Sequence, residues 1–457
     1  MAQPGNSSVI TKDAKRAMLS QFLGFGLDAY DMALVIVMAP IFTKVFASPG
    51  QTVAWQYLTV VLLYSITMAA RPIGSAIFGH YADKIGRRNL LAVTIGGVGV
   101  MSLLCALTPT QQQVGSGLAF LIFGILRLFM GIFFGGEYAC GHAFAIEHAP
   151  RARRGFIGGF IQSGFALGFA VASFVVLGFT KALGEAAMQD YGWRIVFATG
   201  VIPVIIALWI WRSVVESPEF LKQKKAGNTE KTPFTSLFKP PTLWVFLQVF
   251  FFMTGLFLTD YAIYQFIPGI LKGKNKFGMA EYTQIYGTAL LCAAIGYNVF
   301  GWASDKLGRK KLTQYYCILI AAMGIPLYQL IINAAVSRNF QLAIFGAIVA
   351  GMFKIHWGIL PAYLCERFPT RNRSVGVGFG YSAGALVGGA GITPLVAFFH
   401  TRSFIAVIEG PNELWLSASV ALTIGAVMTF VSLLFSPETK NLELSDVGAC
   451  EVGAKAE

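Results

Sequence analysis

Gly79-His-Tyr-Ala-Asp83-Lys-Ile-Gly86-Arg87-Arg88 returns 222 residues later as Gly301-Trp-Ala-Ser-Asp305-Lys-Leu-Gly308-Arg309-Lys310. Two further pairs keep the same order around this doubled stretch. Glu147-His-Ala-Pro150-Arg-Ala-Arg-Arg154 is matched by Glu366-Arg-Phe-Pro369-Thr-Arg-Asn-Arg373, and Ser217-Pro218-Glu219 by Ser436-Pro437-Glu438, both at a separation of 219. Three ordered pairs at nearly one spacing indicate an internal duplication. In an apolar chain, duplication points to two related halves with a site between them.

The chain is apolar: 55% of its residues are hydrophobic and 12% are charged, against roughly 25% charged in a soluble domain. Residues 1–16 are polar and end in Lys12, Lys15 and Arg16, and the first apolar run is too long for the core of a cleavable signal, so none is expected. The net charge of +13 raises the question of a nucleic-acid partner. Its placement in alternate loops, rather than along one stripe, argues against that. Cys105, Cys140, Cys292, Cys317, Cys365 and Cys450 form no ligand spacing and read as small core residues. No metal cluster, cofactor motif or Walker loop is present in the sequence, so no cofactor and no ATP drive are expected.

A bilayer core takes about 20 apolar residues per helix. Twelve segments qualify, at 18–43, 56–79, 89–108, 116–142, 155–180, 194–214, 243–270, 281–302, 312–334, 340–364, 374–400 and 412–435. The expected fold is an all-α membrane protein of twelve transmembrane helices in two pseudo-symmetric six-helix bundles. A tail at 1–17 precedes the bundle 18–214. A polar, lysine-rich linker loop at 215–242 joins it to the bundle 243–435, and a tail at 436–457 closes the chain. Most Lys and Arg fall in the two tails and in the even-to-odd loops. The opposite side holds Lys44, Lys181, Arg194, Lys272, Lys274, Lys276, Arg338 and Arg402. Both termini are therefore expected in the cytoplasm, in the plasma membrane. Arg71, Arg127 and Lys354 remain inside apolar runs.

The repeated Gly-x-x-x-Asp-Lys-x-Gly-Arg-Arg/Lys loop after spans 2 and 8 resembles the signature of the major facilitator superfamily. That resemblance covers nearly the whole chain and implies the same twelve-helix, six-plus-six architecture. Arg71-Pro72-Ile-Gly74, Phe78-Gly79-His80, Gly135-Gly136-Glu137-Tyr138 and Glu216-Ser217-Pro218 resemble the metabolite:proton symporters, which carry carboxylates and osmolytes. Asp28-Ala-Tyr-Asp31 resembles the Asp-x-x-Asp pattern of aromatic-acid, lactate and sialate proton symporters. Ser436-Pro437-Glu438-Thr439-Lys440 resembles the end of sugar porters, but their paired glutamines in span 7 are missing, which counts against a hexose.

Charge inside a bilayer is costly, about 2.5–3.5 kcal/mol per residue on insertion scales, so each buried ionisable group is a candidate for function. Asp28 and Asp31 share one face of span 1 and would resist joint ionisation. One of them is expected to load a proton; the alternative is that Asp31 pairs with a fixed cation. Arg127, Gly131 and Gly135 recur at i, i+4 and i+8 on span 4, where the glycines admit a close neighbour. Arg127 stays charged and would hold either a substrate carboxylate or Asp28 or Asp31. The superfamily's span-4 Arg-x-x-x-Gly pattern implies the second. Glu137, toward the cytoplasmic end of span 4, is placed with the proton-coupling residues, or as a gate residue pairing with the Arg87 region.

Lys354 and His356 lie in the middle of span 10, and Lys354 is long enough to reach a central cavity; the alternative is pairing with Asp260. Asp260, Tyr261, Tyr264 and Gln265 give span 7 hydrogen-bonding faces. Gln162 and Tyr381 occupy matching positions in the two halves, which suggests cavity lining. A cytoplasmic gate is expected at Gly79, Asp83, Gly86, Arg87, Arg88 and Arg154, and at Gly301, Asp305, Gly308, Arg309 and Arg373.

These features point to a secondary active transporter that couples proton entry to uptake of a small organic anion by alternating access. Its partners would be the solute, the proton and the lipid bilayer, with a monomer as the unit and no enzymatic role. The alternative cargo is a neutral or zwitterionic solute such as a betaine, proline or a sugar.

Overall fold

The computed structural model describes residues 10–46, 53–227, 230–272, 277–392, 414–445 and 447. Among these residues the chain is predominantly helical and has no strand. Twelve long helical segments, α1 to α12, follow the twelve predicted spans in order. The first six are α1 Lys12–Val37, α2 Val53–Ile85, α3 Arg87–Ala106, α4 Ser116–Glu147, α5 Arg154–Leu183 and α6 Glu185–Ser213. The last six are α7 Thr242–Lys272, α8 Met279–Leu307, α9 Arg309–Val336, α10 Phe340–Arg367, α11 Thr370–Ile392 and α12 Leu414–Leu434. The expected continuation of span 11 to residue 400 and the end of the C-terminal tail lie outside the described residues.

The helices are built for a lipid solvent. On α4, Leu118, Leu121, Ile125, Leu128 and Phe129 form an exposed apolar stripe, while Phe123, Arg127, Met130, Phe134 and Tyr138 are buried on the opposite face. Inverted amphipathicity of this kind suits hydrocarbon outside and polar groups within. Small residues then set the helix spacing. Gly131 and Gly135 lie against the backbone of Thr67 and Arg71, where a Cβ would collide with carbonyl oxygens. The close approach expected from span 4 is therefore the α2–α4 crossing.

Within the first half, α1 packs on α5, α2 on α4, and α3 on α4 and α6. In the second half, α7 and α9 pack on α12 and α8 on α10. The halves meet through α5–α8 and through α11 against α2 and α4. Gly155 and Gly301 are in backbone contact at the first crossing. At the second, Ser75 and Ser382 are hydrogen-bonded at 2.8 Å.

Three spans are less regular than their apolar runs suggest. Span 1 breaks at Met38 and continues as a short helix, Ala39–Phe46. α11 ends in a wide π segment, Ala385–Ile392. α10 is interrupted after Met352 by a 3₁₀ turn, Ile355–Ile359, and resumes at Leu360. Lys354 sits at that interruption.

Candidate functional site

A narrow cleft with a cavity of about 20 Å³ lies between the halves, lined by Gln162 and Phe165 of α5, Phe257 and Asp260 of α7, Lys354 and Trp357 of α10, and Tyr381 of α11. Four residues proposed from sequence as substrate ligands, Gln162, Asp260, Lys354 and Tyr381, thus share one wall. The Lys354 ammonium lies 2.7 Å from Asp260. It also sits over the rings of Phe165 at 5.7 Å and Trp357 at 5.5 Å. Tyr381 stacks on Tyr138 with ring centres 3.6 Å apart and meets Phe257 edge-on at 5.0 Å. The cleft therefore has aromatic walls around one ion pair, the composition of a solute pocket.

Other candidates lie elsewhere. His356 is buried and its ring packs against Tyr316 of α9, not among the cleft residues. Tyr261 projects its ring toward Gly389 of α11. The side chains of Tyr264 and Gln265 lie outside the described residues. Arg127 is fully buried and binds Asp31, and its Nε donates to Thr67 at 3.0 Å. It faces the helix interior rather than the cleft.

The two aspartates of α1 part company. Asp31 takes Arg127 and accepts from Ser102 at 3.0 Å. Asp28 stands beside Glu137, close enough for the two carboxyl groups to act on each other. Glu137 also accepts from Gln21 at 2.8 Å, and Gln21 meets His142 at 3.0 Å. Asp31 thus takes the alternative arrangement, paired with the fixed cation Arg127, while the carboxyl beside Asp28 is Glu137, because neighbouring helices offer each aspartate a different partner. The expected pairing of Glu137 with the Arg87 region does not form, since Glu137 faces α1. Two buried carboxyl groups this close resist joint ionisation.

One end of the molecule carries the doubled loops, and there the halves are latched. Asp83 accepts from the N–H groups of Ser374 and Val375, both at 3.0 Å. Asp305 accepts from Gly155 and Phe156 at 2.8 and 2.9 Å. Each aspartate also pairs with its own loop arginine, Arg87 at 3.1 Å and Arg309 at 2.8 Å. Burial pushes the Asp83 carboxyl up to about 6, against the opposing pull of Arg87 and of the Val375 and Ser374 N–H groups.

Two carboxylates that the sequence reading did not assign to the gate complete the network. Glu147 joins Arg87 at 3.4 Å and Arg373 at 2.7 Å, and Glu366 joins Arg309 at 3.3 Å and Arg154 at 4.0 Å. Both stand in the repeated Glu…Arg stretch, which was their available signal. Arg88 stays within its own half, donating to Val214 at 3.3 Å. The third sequence repeat is also corrected. Glu216 accepts from the N–H groups of Arg87 and Arg88, as Glu438 does from Arg309 and Lys310. Ser217 binds Glu147 as Thr439 binds Glu366. The equivalent pairs are thus Glu216-Ser217 and Glu438-Thr439, 222 apart, not the two Ser-Pro-Glu triplets. Gly86 and Gly308 hold positive φ values of 123° and 99° beside these glutamates, a conformation open to glycine.

The Major Facilitator Superfamily sequence family matches residues 21–392. The chain is a major facilitator. This major facilitator is similar to the sialic acid transporter NanX of Escherichia coli K12, 29% identical, covering 84% of this chain and 87% of that protein. It is also similar to the proline/betaine transporter of the same organism, 26% identical, covering 91% of this chain and 83% of that one. Its fold matches the proton:xylose symporter XylE with a TM-score of 0.75 at 19% identity, over 97% of this chain and 100% of the other. It is a multi-pass membrane transporter.

Proposed function

We propose that this major facilitator is a proton-coupled symporter of a small carboxylate, moving it across the plasma membrane by alternating access. The observation that carries the reading is the largely buried Lys354–Asp260 ion pair in an aromatic cleft between the two halves. Lys354 is a cation that a solute carboxylate can share, since its ammonium lies in the cleft wall and is already desolvated. The Asp28–Glu137 carboxyl pair supplies the proton site, and Asp31–Arg127 is a neutral strut beside it. Loading proton and anion together neutralises the core, which lets the halves rock past each other. The distribution of Lys and Arg supports cytoplasmic termini, with the latched end inside.

A second reading is a zwitterion with a cationic head. Lys354 already occupies a carboxylate-and-aromatic cage, the setting that suits a substituted ammonium. One of the similar proteins is a proline/betaine transporter.

Proteoliposomes with an inward proton gradient test the proposal. Radiolabelled succinate, benzoate, glycine betaine and D-xylose are offered, with and without a protonophore. Gradient-dependent accumulation of succinate or benzoate is expected, and accumulation of glycine betaine alone would select the second reading. Accumulation of D-xylose alone, or uptake indifferent to the protonophore, would overturn the proposal.

A further inference from the structure

Among the described residues, Arg71 is a buried arginine with no carboxylate in ion-pair reach. Arg87, Arg127, Arg154, Arg309 and Arg373 each face one within 4.0 Å. Arg71 is 3% exposed, and among the described residues it has no ion-pair partner. Its Nη2 meets the thioether sulfur of Met32 at 2.6 Å, and its Nε has no hydrogen-bond partner. A buried guanidinium that meets only a sulfur and an aromatic face is incompletely compensated, and such groups are retained where something else supplies the charge.

The place of Arg71 in the fold says what that is. Its guanidinium stacks over Phe134 at 5.2 Å. Phe134 and Tyr138 are one turn apart on α4 and share a face. Tyr138 is stacked on Tyr381, and Tyr381 lines the cleft. The Ser75–Ser382 hydrogen bond ties the same stretch of α2 to the same stretch of α11. Arg71 therefore stands about one helical turn behind the cleft wall, where the two halves meet. The hydroxyl of Tyr138 is likewise buried without a partner. The Arg71 charge also acts on Asp28 and Glu137.

We propose that Arg71 is the anchor for the solute's carboxylate, bound through the unpaired edge of its guanidinium with the Tyr138 hydroxyl as a second donor. The inference rests on the proposed carriage of a carboxylate-bearing solute and deepens it. The planar fork of Arg71 fixes the orientation of the anion, and the rest of the solute extends toward Lys354 and Asp260. A carboxylate is common to the anionic and zwitterionic readings, so Arg71 serves either. The selectivity between them lies at the Lys354–Asp260 end.

The test is binding by the purified full-length protein, read by tryptophan fluorescence and thermal shift. The probes are succinate, benzoate and glycine betaine, with benzamide as the uncharged isostere of benzoate and D-xylose as a solute without a carboxylate. Whichever carboxylate probe binds the wild type should bind Arg71→Gln about 10- to 100-fold more weakly, the cost of one charge-assisted contact. Arg71→Lys should recover part of the affinity, and discrimination between benzoate and benzamide should vanish in Arg71→Gln. The melting temperatures of both variants without probe report on folding, and the retained charge of Arg71→Lys keeps the test informative where Arg71→Gln is unstable. Equal carboxylate affinity in wild type and Arg71→Gln would overturn this assignment and leave carboxylate transport standing. Binding of D-xylose but of no carboxylate would overturn both.

Discussion

Asp83 and Asp305 perform the same task in opposite directions across one interface. Asp83 of α2 caps the first turn of α11 in the second half, and Asp305 of α8 caps the first turn of α5 in the first half. A carboxylate at a helix N-terminus satisfies orphan N–H groups and meets the positive end of the helix dipole. Each half thus completes a helix of the other only while the halves are closed. The latch is strong because its bonds are charge-assisted, and reversible because water replaces them on opening.

Removing one cap should weaken the latch without unfolding the protein. Asp305→Ala is expected to cost about 0.5–2 kcal/mol of closed-state stability. Spin labels at Lys84→Cys and Arg371→Cys should report a larger fraction of long distances in that variant. An unchanged distance distribution would show that the caps do not hold the halves together.

The latch should also respond to pH. The Asp83 carboxyl lies at about 6 in the closed state, above its usual value of about 3.9 in water. The closed state therefore holds the proton more tightly than an open, hydrated one. The resulting stabilisation is complete below about 4 and is lost as pH rises through about 6. The same spin-label pair should show more closed molecules at low pH, and Asp83→Asn should flatten that part of the curve. A slope of opposite sign would contradict the assignment.

Neutralising one member of the cleft ion pair should be worse than neutralising both. Lys354→Met leaves Asp260 uncompensated in a buried site, a loss on the order of 3–5 kcal/mol. Lys354→Met with Asp260→Asn should recover much of the thermal stability while remaining unable to accumulate solute. Additive losses in a double-mutant cycle would mean that the pair is not coupled.

Asp31→Asn should behave differently from Asp28→Asn. The first strands Arg127, and is expected to lower stability as well as transport. The second removes one carboxyl of the proposed proton site, and should spare stability while abolishing gradient-driven accumulation. Solute exchange without a gradient should partly survive in Asp28→Asn. Equal thermal losses in both variants would contradict the division of roles.

Much of the fold was legible because the bilayer demands long apolar runs, and the doubled loop marks the halves. The latch was legible for the same reason: its Gly and Asp spacings are local. Partner choice was not. Asp28 and Asp31 lie within one turn, but which cation or carboxyl each meets depends on how α4 and α3 pack against α1. Sequence marked Arg71 as a cation in an apolar run but gave no sign that its neighbours would be a thioether and a phenyl ring. The break at Lys354 was hidden too, since Ile355 and Ile359 keep the run apolar through a 3₁₀ turn. Glu216 was overlooked because Ser-Pro-Glu looked like the repeat, whereas the shared function follows the N–H groups after Gly86 and Gly308.

The most direct measurement is solute-triggered proton entry into proteoliposomes loaded with a pH-sensitive dye, starting without a gradient. External succinate or benzoate should acidify the lumen of wild-type vesicles, and Asp28→Asn should abolish the signal while still binding the solute. Uptake of the carboxylate with no accompanying proton, or an unaltered proton signal in Asp28→Asn, would contradict the account.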